Sequence, residues 1–330
     1  MREAQATVRS PEFIQSYHAD PAATRAELVA GLLNAAQAQV SPKYLYDALG
    51  SRLFEAITEL PEYYPTRTEA AIFDARADDI AAAVGGGSTL IDLGAGNCEK
   101  AARLFDVLNP SRYVAVDISV EFLRNALLCL QRQFPSLTMT GVGLDFSASL
   151  ALPPELLEGR PVFFYPGSSI GNFTPADALA FLRQVRTLAG DAGGGLLIGV
   201  DRVKPRELLE PAYADSLGVT AAFNLNLLLH LNRLLGADFA LADWQHVALW
   251  NEARSRVEMH LQARREVTVR FAGGARRFTE GERIHTENSY KYRPEDFDAL
   301  LRDAGFARTT RWSDERGWFS VVWAEAGHGS

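Results

Sequence analysis

Short apolar runs alternate with longer amphipathic stretches through the middle of the chain. The apolar runs predict strands, which lie at 89–93, 112–117, 138–143, 161–166 and 195–200. Between most of them the apolar residues recur at helical spacing, which predicts helices near 97–108, 120–133 and 175–189. This alternation is typical of βαβ units on a parallel sheet.

The flanking segments have other patterns. Leucines at helical spacing predict helices within 21–60, and 204–256 also has a mainly helical pattern. Strand-like alternation follows over 256–281, with Gly273 and Gly274 at a hairpin turn. A helix and two strands after residue 293 predict an antiparallel end to the first sheet.

A second helix start is predicted just before the first strand. Thr66 and Glu69 have the spacing of a capping box ahead of an apolar stretch. In a capping box the threonine hydroxyl and the glutamate side chain bind the first backbone N–H groups of the helix.

These patterns predict an α/β fold with two domains. A Rossmann-like domain is predicted to consist of 68–203 plus 292–330. A second, mixed α+β domain that binds the substrate is predicted to consist of 21–67 plus 204–291. Residues 1–20 are predicted to be a loose N-terminal arm.

Composition narrows the possible partners. Hydrophobic residues make up 47% of the chain and charged residues 22%, as in soluble globular proteins. The formal net charge is −8 and no basic cluster is present, which argues against nucleic acid as a partner. The six histidines lack the spacing of metal ligands, and we expect no metal.

Cysteine use and hydropathy predict the compartment. Cys98 and Cys129 are too few for a disulfide framework, which favours a reducing environment. The N-terminal segment lacks the apolar core of a signal peptide, and no run is long enough to span a bilayer. We expect a cytoplasmic protein that does not associate with membranes and is a monomer.

The stretch TLIDLGAGNCEK, residues 89–100, has the form of a nucleotide-binding turn between a strand and a helix. Gly94 and Gly96 match the first glycines of the dinucleotide fingerprint, but Glu99 replaces the third. Glutamate is unfavourable beside a pyrophosphate at a helix N-terminus, which argues against NAD. A plain tight turn is the competing interpretation of this stretch.

Acidic residues after the next two strands favour a different nucleotide. Asp117 ends the second strand, where a carboxylate accepts hydrogen bonds from ribose hydroxyls. Asp145 and Phe146 follow the third strand, where a carboxylate and an aromatic ring can contact adenine. Each aspartate alone could be a turn residue. Together with the glycine turn, they predict S-adenosylmethionine, which has one ribose and no phosphate.

Five longer strings in the chain are distinctive. They are YLYDALGSRLFEAITELPEYYPTRTEA (44–70), GSSIGNFTP (167–175), AYADSLGVTAAFNLN (212–226), RVEMHL (256–261) and TENSYKYRPE (286–295). Through them the chain resembles the histidine-specific Nα-methyltransferases of ergothioneine biosynthesis, over roughly residues 20 to 323. It implies a two-domain enzyme that trimethylates the α-amino group of L-histidine to give hercynine, with S-adenosylmethionine as the methyl donor.

The resemblance also implies the residues of the site. Contacts to S-adenosylmethionine are implied for Gly94, Lys100, Asp117, Asp145 and Phe146. Contacts to histidine are implied for Tyr63, Gly167, Asn172, Tyr213, Met259, Glu287 and Ser289. No covalent catalytic residue is implied, and the substrate is expected to be positioned by Tyr46, Tyr63 and Asn172. The chain departs from the family pattern at Asn97, Cys98, Asn288 and Tyr290, none of which is a matched contact residue.

The chemistry of these residues agrees with that assignment. In an extended TENSYKY segment, Glu287 and Ser289 share one face, and a carboxylate with a hydroxyl can hold both nitrogens of an imidazole. An ordinary solvated strand edge is the alternative. Asn172 follows the fourth strand, and it is not needed as a helix cap because Thr174 precedes Pro175. Tyr46 and Tyr63 could surround a growing cation by cation–π attraction.

Methyl transfer from a sulfonium to an amine is an in-line displacement. The protein must align the two groups and keep the amine neutral, so that no strong general base or covalent intermediate is expected. Three other functions remain open on the residues alone. They are an N-methyltransferase for a tryptophan-like amine, a non-catalytic S-adenosylmethionine-binding protein, and an NAD oxidoreductase.

Overall fold

The computed structural model describes residues 9–16, 20–147 and 149–327. The strands are β1 (Glu12–Gln15), β2 (Ala38–Gln39), β3 (Thr89–Leu93), β4 (Arg112–Asp117), β5 (Thr138–Gly143), β6 (Pro161–Tyr165), β7 (Gly195–Asp201), β8 (Trp244–Asn251), β9 (Arg256–Ala263), β10 (Val267–Phe271), β11 (Gly274–Phe278), β12 (Arg283–Tyr290), β13 (Arg308–Ser313) and β14 (Phe319–Glu325). The helices are α1 (Pro21–Leu33), α2 (Ala48–Thr58), α3 (Tyr64–Val84), α4 (Glu99–Ala102), α5 (Phe105–Leu108), α6 (Val120–Gln133), α7 (Pro175–Ala189), α8 (Arg206–Leu209), α9 (Val219–Leu235) and α10 (Pro294–Asp303).

The chain divides into two compact units. The first unit contains 1–18, 67–202 and 292–330, and the second contains 19–66 and 203–291. These bounds differ by one or two residues from those predicted for the α/β and substrate domains. The substrate-binding role of the second unit stays a prediction.

An eight-stranded sheet forms the centre of the first unit, in the order β1-β5-β4-β3-β6-β7-β14-β13. Strands β1 through β7 of this order pair in parallel, and β14 and β13 add an antiparallel end. The Rossmann-like α/β architecture and the antiparallel end were both predicted.

The prediction of a loose arm is wrong for residues 12–15. They form β1, which lies parallel to the edge strand β5, with Glu12 opposite Thr140 and Gln15 opposite Gly143. Phe13 packs against the core beneath the sheet, which explains why so short a strand is held in place. Residues 1–8 and 17–19 of the predicted arm lie outside the described residues.

Each face of this sheet is covered by its own apolar core. Leu90 faces the core that contains residues of α3 and α6, while Ile91 faces the core that contains residues of α7 and α10. Successive β3 residues thus point in opposite directions and are both buried, as in a parallel sheet covered by helices on both sides. The chain runs outward from β3 in opposite directions, to β4 and to β6, and ligands bind at such a switch point in open α/β sheets.

A smaller sheet in the order β2-β12-β9-β8 and a separate β10-β11 hairpin belong to the second unit. The predicted hairpin turn is confirmed, because Phe271 pairs with Gly274 and Gly273 has a φ of +106°. The prediction of helix up to residue 256 is wrong, since Trp244–Asn251 forms β8. Its sequence, WQHVALWN, contains four consecutive apolar residues and no strict polar–apolar alternation, so the hydrophobic period does not distinguish this strand from a helix.

Two details near the glycine turn also differ from prediction. The helix expected over 97–108 is two short segments, α4 and α5. The helix expected to begin at Thr66 begins at Tyr64, so that Glu69 lies inside α3 and is no capping-box residue. The capping interpretation of Glu69 is therefore wrong.

Candidate active site

The glycine turn lies at the carboxyl end of β3. Gly94 and Gly96 have φ values of +73° and +54°, which L side chains rarely adopt. The backbone N–H groups of Gly94 and Ala95 both donate to the Val116 carbonyl, 2.8 and 3.1 Å away, and thereby fix the turn beside β4. A Cβ on Gly94 would lie 3.7 Å from Cζ of Phe146. The predicted adenine-contacting ring therefore lies beside the turn.

Asp117 holds this turn in place. One of its oxygens accepts from the Gly96 N–H at 3.0 Å, and the other accepts from the Ser119 N–H at 2.8 Å. Burial raises the pKa of the Asp117 carboxyl, and these N–H groups act against the rise. Each oxygen keeps a further lone pair, so that acceptance from a ribose hydroxyl is compatible with this geometry.

The other predicted cofactor carboxylate is also held locally. Asp145 is buried and accepts hydrogen bonds from the backbone N–H and the hydroxyl of Ser147. Phe146, the next residue, packs edge-on against Tyr165, with ring centroids 5.8 Å apart. This loop is thus fixed at the carboxyl ends of β5 and β6.

Asp92 is the acidic residue directly before the turn. It is fully buried in β3 and accepts a hydrogen bond of 2.7 Å from the Tyr113 hydroxyl. Burial raises its pKa to about 7, and its Oδ1 has no hydrogen-bond partner in the described part of the chain. A buried acceptor of this kind at the base of a glycine turn is available to a bound donor group.

Lys100 is hydrogen-bonded to Glu69, the buried carboxylate whose spacing from Thr66 matched a capping box. Its ammonium group donates to Glu69 Oε2 at 2.8 Å, and Glu69 Oε1 accepts from the Gly167 N–H at 2.7 Å. The Glu69 side chain is 1% exposed. A Cβ on Gly199 would lie 1.9 Å from Glu69 Oε1, so the absence of a side chain there makes room for the carboxylate. The sequence signal was the string PEYYPTRTEA, in which Glu69 lies.

Asn172 ends a short 3₁₀ turn, Ser169–Asn172, that follows β6. Ser168 begins this turn with a φ of +59°, and its hydroxyl accepts from the Asp201 N–H at 2.8 Å. Thr174 caps α7, as predicted, because its hydroxyl accepts from the Asp177 N–H. Asn172 is half-buried and is not used as a cap. It therefore lies at the carboxyl edge of the parallel sheet.

In the second unit, Glu287 lies on β12 directly opposite Met259 on β9. Residues opposite each other in a ladder share a face of the sheet, so these two predicted imidazole contacts are neighbours. Glu287 is 7% exposed, and its Oε2 has no hydrogen-bond partner among the described residues. Burial raises the pKa of Glu287 to about 7, and the Lys291 ammonium opposes the rise.

Ser289 shares that face and is part of a three-membered hydrogen-bond ring. Its hydroxyl lies 2.7 Å from the Tyr213 hydroxyl, and the Lys291 ammonium donates to both, at 2.8 and 2.7 Å respectively. Lys291 was not among the predicted site residues. The signal was the strand period itself, since 287, 289 and 291 follow each other at intervals of two.

The opposite face of β12 contains a separate polar cluster. Tyr290 accepts a hydrogen bond of 2.7 Å from Arg256, and Asn288 contacts the His285 ring at 2.8 Å. The predicted division of TENSY between two faces is therefore confirmed. The pairing of β12 with β9 shifts at a bulge between His285 and Glu287, after which Glu287 lies opposite Met259.

Aromatic rings surround the predicted tyrosines of the second unit. The Tyr63 ring packs edge-on against Tyr213, with centroids 6.3 Å apart. Tyr46 packs against Phe54 and Phe223 at 5.5 and 5.4 Å. Phe54 thereby links the two tyrosines, since it also packs against Tyr63 at 6.2 Å.

The predicted residues form one group in each unit. The predicted S-adenosylmethionine contacts, with Gly167 and Asn172, lie in the first unit, and Tyr46, Tyr63, Tyr213, Met259, Glu287 and Ser289 lie in the second. The roles of both groups in ligand binding stay predictions. In the described ranges, no cluster of three or more histidine, cysteine, aspartate or glutamate side chains is arranged to hold a metal ion.

A family model described as "Histidine-specific methyltransferase, SAM-dependent" matches residues 24–326. The chain belongs to this family. It is 42% identical to histidine N-alpha-methyltransferase of Mycolicibacterium smegmatis, over 91% of this chain and 94% of the relative. It is 40% identical to the protein of the same name from Mycobacterium tuberculosis, with the same two coverages. It is also 31% identical to ergothioneine biosynthesis protein 1 of Neurospora crassa, over 83% of this chain and 32% of that protein.

Membership of the histidine-specific methyltransferases decides among the nucleotides considered from sequence. The cofactor of the family is S-adenosylmethionine, and the NAD interpretation of the glycine turn is set aside. Contacts of the glycine turn, Asp117 and Phe146 with this cofactor stay predictions. No helix in the described residues of this family member is both long and apolar enough to cross a membrane.

Proposed function

We propose that the protein transfers methyl groups from S-adenosylmethionine to the α-amino group of L-histidine until hercynine is formed, the first step of ergothioneine biosynthesis. The proposal rests on family membership and on one observation above all. Glu287 is a buried carboxylate, one oxygen of which has no hydrogen-bond partner in the described part of the chain, and it lies opposite Met259 and two residues from Ser289. An unpartnered buried carboxylate costs stability, and a substrate N–H group would satisfy it.

In this function the first unit holds the methyl donor. S-adenosylmethionine supplies an electrophilic methyl group on its sulfonium. Gly94 has no side chain, so the cofactor can approach the backbone of the turn, and Phe146 lies beside it, 3.7 Å from where a Cβ on Gly94 would be. Asp117 has lone pairs left for ribose hydroxyls. Lys100 has a position fixed by Glu69, and an extended chain that can contact the bound cofactor.

The second unit recognises the imidazole. Glu287 accepts from one ring N–H, and Ser289 contacts the other nitrogen. Met259 packs against the ring. A phenylalanine ring would leave the buried Glu287 oxygen without a hydrogen-bond partner, which disfavours binding of this apolar analogue. A tryptophan-like substrate would need this corner to be larger and less polar.

The remaining predicted contacts bind what all amino acids share. We assign Asn172, whose amide both donates and accepts, to the amino and carboxylate groups of the substrate. Tyr63, Tyr213 and Tyr46 orient the substrate, and their rings accept a quaternary ammonium by cation–π attraction. Because the chemistry needs only alignment and a neutral amine, the amine proton leaves to water or through a tyrosine hydroxyl.

The product of a single assay tests this function. Purified full-length protein is incubated with S-adenosylmethionine and each standard amino acid in turn, and the products are identified by mass spectrometry. We expect histidine alone to gain three methyl groups, all on the α-nitrogen. Methylation of an imidazole nitrogen, a product that stops at one methyl group, or turnover of tryptophan in preference to histidine would contradict the proposal.

We also propose that the enzyme works as a monomer in the cytoplasm. Both cysteines are free thiols, and burial raises the pKa of Cys98 well above its ordinary value, which makes it unreactive. Light scattering coupled to size-exclusion chromatography should give a mass near 36.2 kDa. A stable dimer would contradict the monomer.

A further inference from the structure

Lys291 is an almost fully buried lysine whose ammonium group lies beside predicted substrate contacts. Its residue exposure is 3%. It donates to the hydroxyls of Tyr213 and Ser289 at 2.7 and 2.8 Å, and it lies 4.8 Å from the centroid of the Tyr213 ring. The two hydroxyls are themselves 2.7 Å apart. The Lys291 ammonium and the hydroxyls of Tyr213 and Ser289 are thus hydrogen-bonded to one another in a closed ring.

The ring restricts what Ser289 can offer to a ligand. A hydroxyl has one proton and two lone pairs, whereas an ammonium only donates. A phenol, with a pKa near ~10, is more acidic than an aliphatic alcohol, so that Tyr213 is the better donor to Ser289. Ser289 Oγ then accepts from both Lys291 and Tyr213. Both of its lone pairs are used, and its own proton is left to point elsewhere.

We propose that Lys291 is a specificity-determining positioning residue, which makes Ser289 a hydrogen-bond donor to the substrate's imidazole. This inference rests on the proposed function. Without the ammonium group, Ser289 would regain a lone pair and could accept as well as donate. Lys291 does not itself contact the imidazole in this role, since it acts through the Ser289 hydroxyl.

A donating Ser289 selects one form of the ring. Its partner nitrogen must carry a lone pair, so the other nitrogen carries the proton and donates it to Glu287. The bound imidazole is therefore neutral and has a single tautomer. An imidazolium would direct an N–H group at a hydroxyl that can only donate. The positive charge of Lys291 supports the same state, because it favours the ionised form of Glu287, which accepts.

The ammonium can be removed with the backbone contacts of this segment kept. The Lys291 N–H donates to the Ser255 carbonyl at 2.8 Å, and this bond is independent of the side chain. Lys291→Met keeps the length of the side chain and removes the charge and the donors. Lys291→Gln, a second variant, keeps N–H donors on a shorter, uncharged side chain.

The same unit contains a matched control. Lys204 is 8% exposed, donates to the Tyr64 hydroxyl at 2.9 Å and lies 4.4 Å from that ring's centroid. It therefore resembles Lys291 in burial and in having a tyrosine partner, but that partner is Tyr64 and not Tyr213. Lys204→Met should lower thermal stability without changing how histidine is bound.

The decisive experiment is nitrogen NMR of histidine labelled with ¹⁵N in the ring, bound to the full chain with S-adenosylhomocysteine. For the unmodified protein and Lys204→Met, we expect one protonated and one unprotonated nitrogen throughout the neutral pH range. For Lys291→Met and Lys291→Gln, we expect averaged or doubly protonated signals. Two protonated nitrogens in the unmodified protein would overturn the proposal, as would unchanged spectra in both Lys291 variants. Failure of histidine to bind the unmodified protein would instead refute the proposed function.

Binding measurements separate this role from simple structural support. We expect Lys291→Met to weaken histidine binding at least tenfold, with an unchanged affinity for S-adenosylhomocysteine. In a Ser289→Ala background, the same substitution should have little further effect, because its route to the substrate is gone. An equal loss in both backgrounds would show that Lys291 supports the fold only. The spectrum of the unmodified protein tests the proposal even where a variant fails to fold.

Discussion

Lys100 Nζ lies 2.8 Å from Glu69 Oε2, and the other oxygen of the same carboxylate accepts from the backbone of Gly167. One buried side chain therefore links the lysine after the glycine turn to the loop after β6. Hydrogen bonds to both oxygens offset the desolvation cost of this carboxylate, which is 1% exposed. This relationship gives Glu69 a role that its position in a threonine–glutamate motif did not suggest.

Glu69→Gln should weaken cofactor binding. The amide can still accept from the Gly167 N–H, but it then presents N–H groups to the Lys100 ammonium and releases it. We expect affinity for S-adenosylhomocysteine to fall about tenfold, or ~1.4 kcal/mol, together with a lower melting temperature. Titration calorimetry measures the first and thermal unfolding the second. Glu99→Gln, an exposed neighbour of Lys100, is the control and should bind normally; an affinity unchanged in Glu69→Gln would remove Lys100 from the cofactor site.

Asp117→Asn should also weaken cofactor binding, for a different reason. The variant loses the charge that strengthens hydrogen bonds from ribose hydroxyls, and it can accept from the backbone with one oxygen only. Loss of a charge-assisted hydrogen bond costs about 1.5–3 kcal/mol, which corresponds to a roughly ten- to hundredfold rise in Kd. Asp106→Asn, an exposed aspartate on α5, should leave the Kd unchanged. If Asp117→Asn bound the cofactor with the same Kd as the parent protein, Asp117 would support the turn without contacting the cofactor.

Much of the fold could be predicted because the hydrophobic period reports local structure directly. Strands β3 to β7 are buried apolar runs, and each was predicted to within about a residue. β1 was missed because four residues with no strong period form a strand only when an existing edge pairs with them. β8 was missed because it follows a long helical pattern and its own residues, WQHVALWN, do not alternate strictly between polar and apolar.

The site was harder to predict from the sequence where hydrogen-bond partners are far apart along the chain. Glu287 and Ser289 could be paired from strand alternation alone, since that relation is local. The links of Glu69 to Gly167 and of Lys291 to Tyr213 join residues that are far apart in sequence. No period or spacing contains this information. Only the tertiary structure shows that these charged residues are buried and paired.

Two substitutions should separate recognition of the ring from recognition of the amino acid. Glu287→Ala removes the proposed acceptor for the imidazole N–H, which should cost histidine about 1.5–3 kcal/mol of binding. It should also reduce selectivity against phenylalanine, because the carboxylate that this ring leaves unpaired is gone. Asn172→Ala should weaken all amino acid substrates alike. Competition assays measure the ratio of histidine turnover to phenylalanine turnover. If Glu287→Ala lowered activity without changing this ratio, Glu287 would be a structural support.

The pKa of Glu287 predicts that this residue costs stability at high pH. Burial raises its pKa from 4.5 to about 7 in the folded protein. Between these values the folded protein binds more protons than the unfolded chain, so the free energy of unfolding falls as the pH rises from about 4.5 to 7. The cost is complete above pH 7 and amounts to roughly 3 kcal/mol. The pKa of Asp92 is also raised to about 7, so Asp92 lowers the free energy of unfolding over the same pH range. The contribution of Glu287 is therefore obtained by comparing a Glu287 variant with the parent protein at each pH.

Glu287→Gln should therefore stabilise the protein at pH 8 and have little effect at pH 4.5, while it lowers affinity for histidine. The amide cannot ionise, and the desolvation cost of the carboxylate disappears. Denaturant unfolding of both proteins at the two pH values gives the difference in free energy. A variant that is less stable than the parent at pH 8 would show that the Glu287 carboxylate is already well paired within the protein. That result would contradict its assignment as a group that awaits the substrate's N–H.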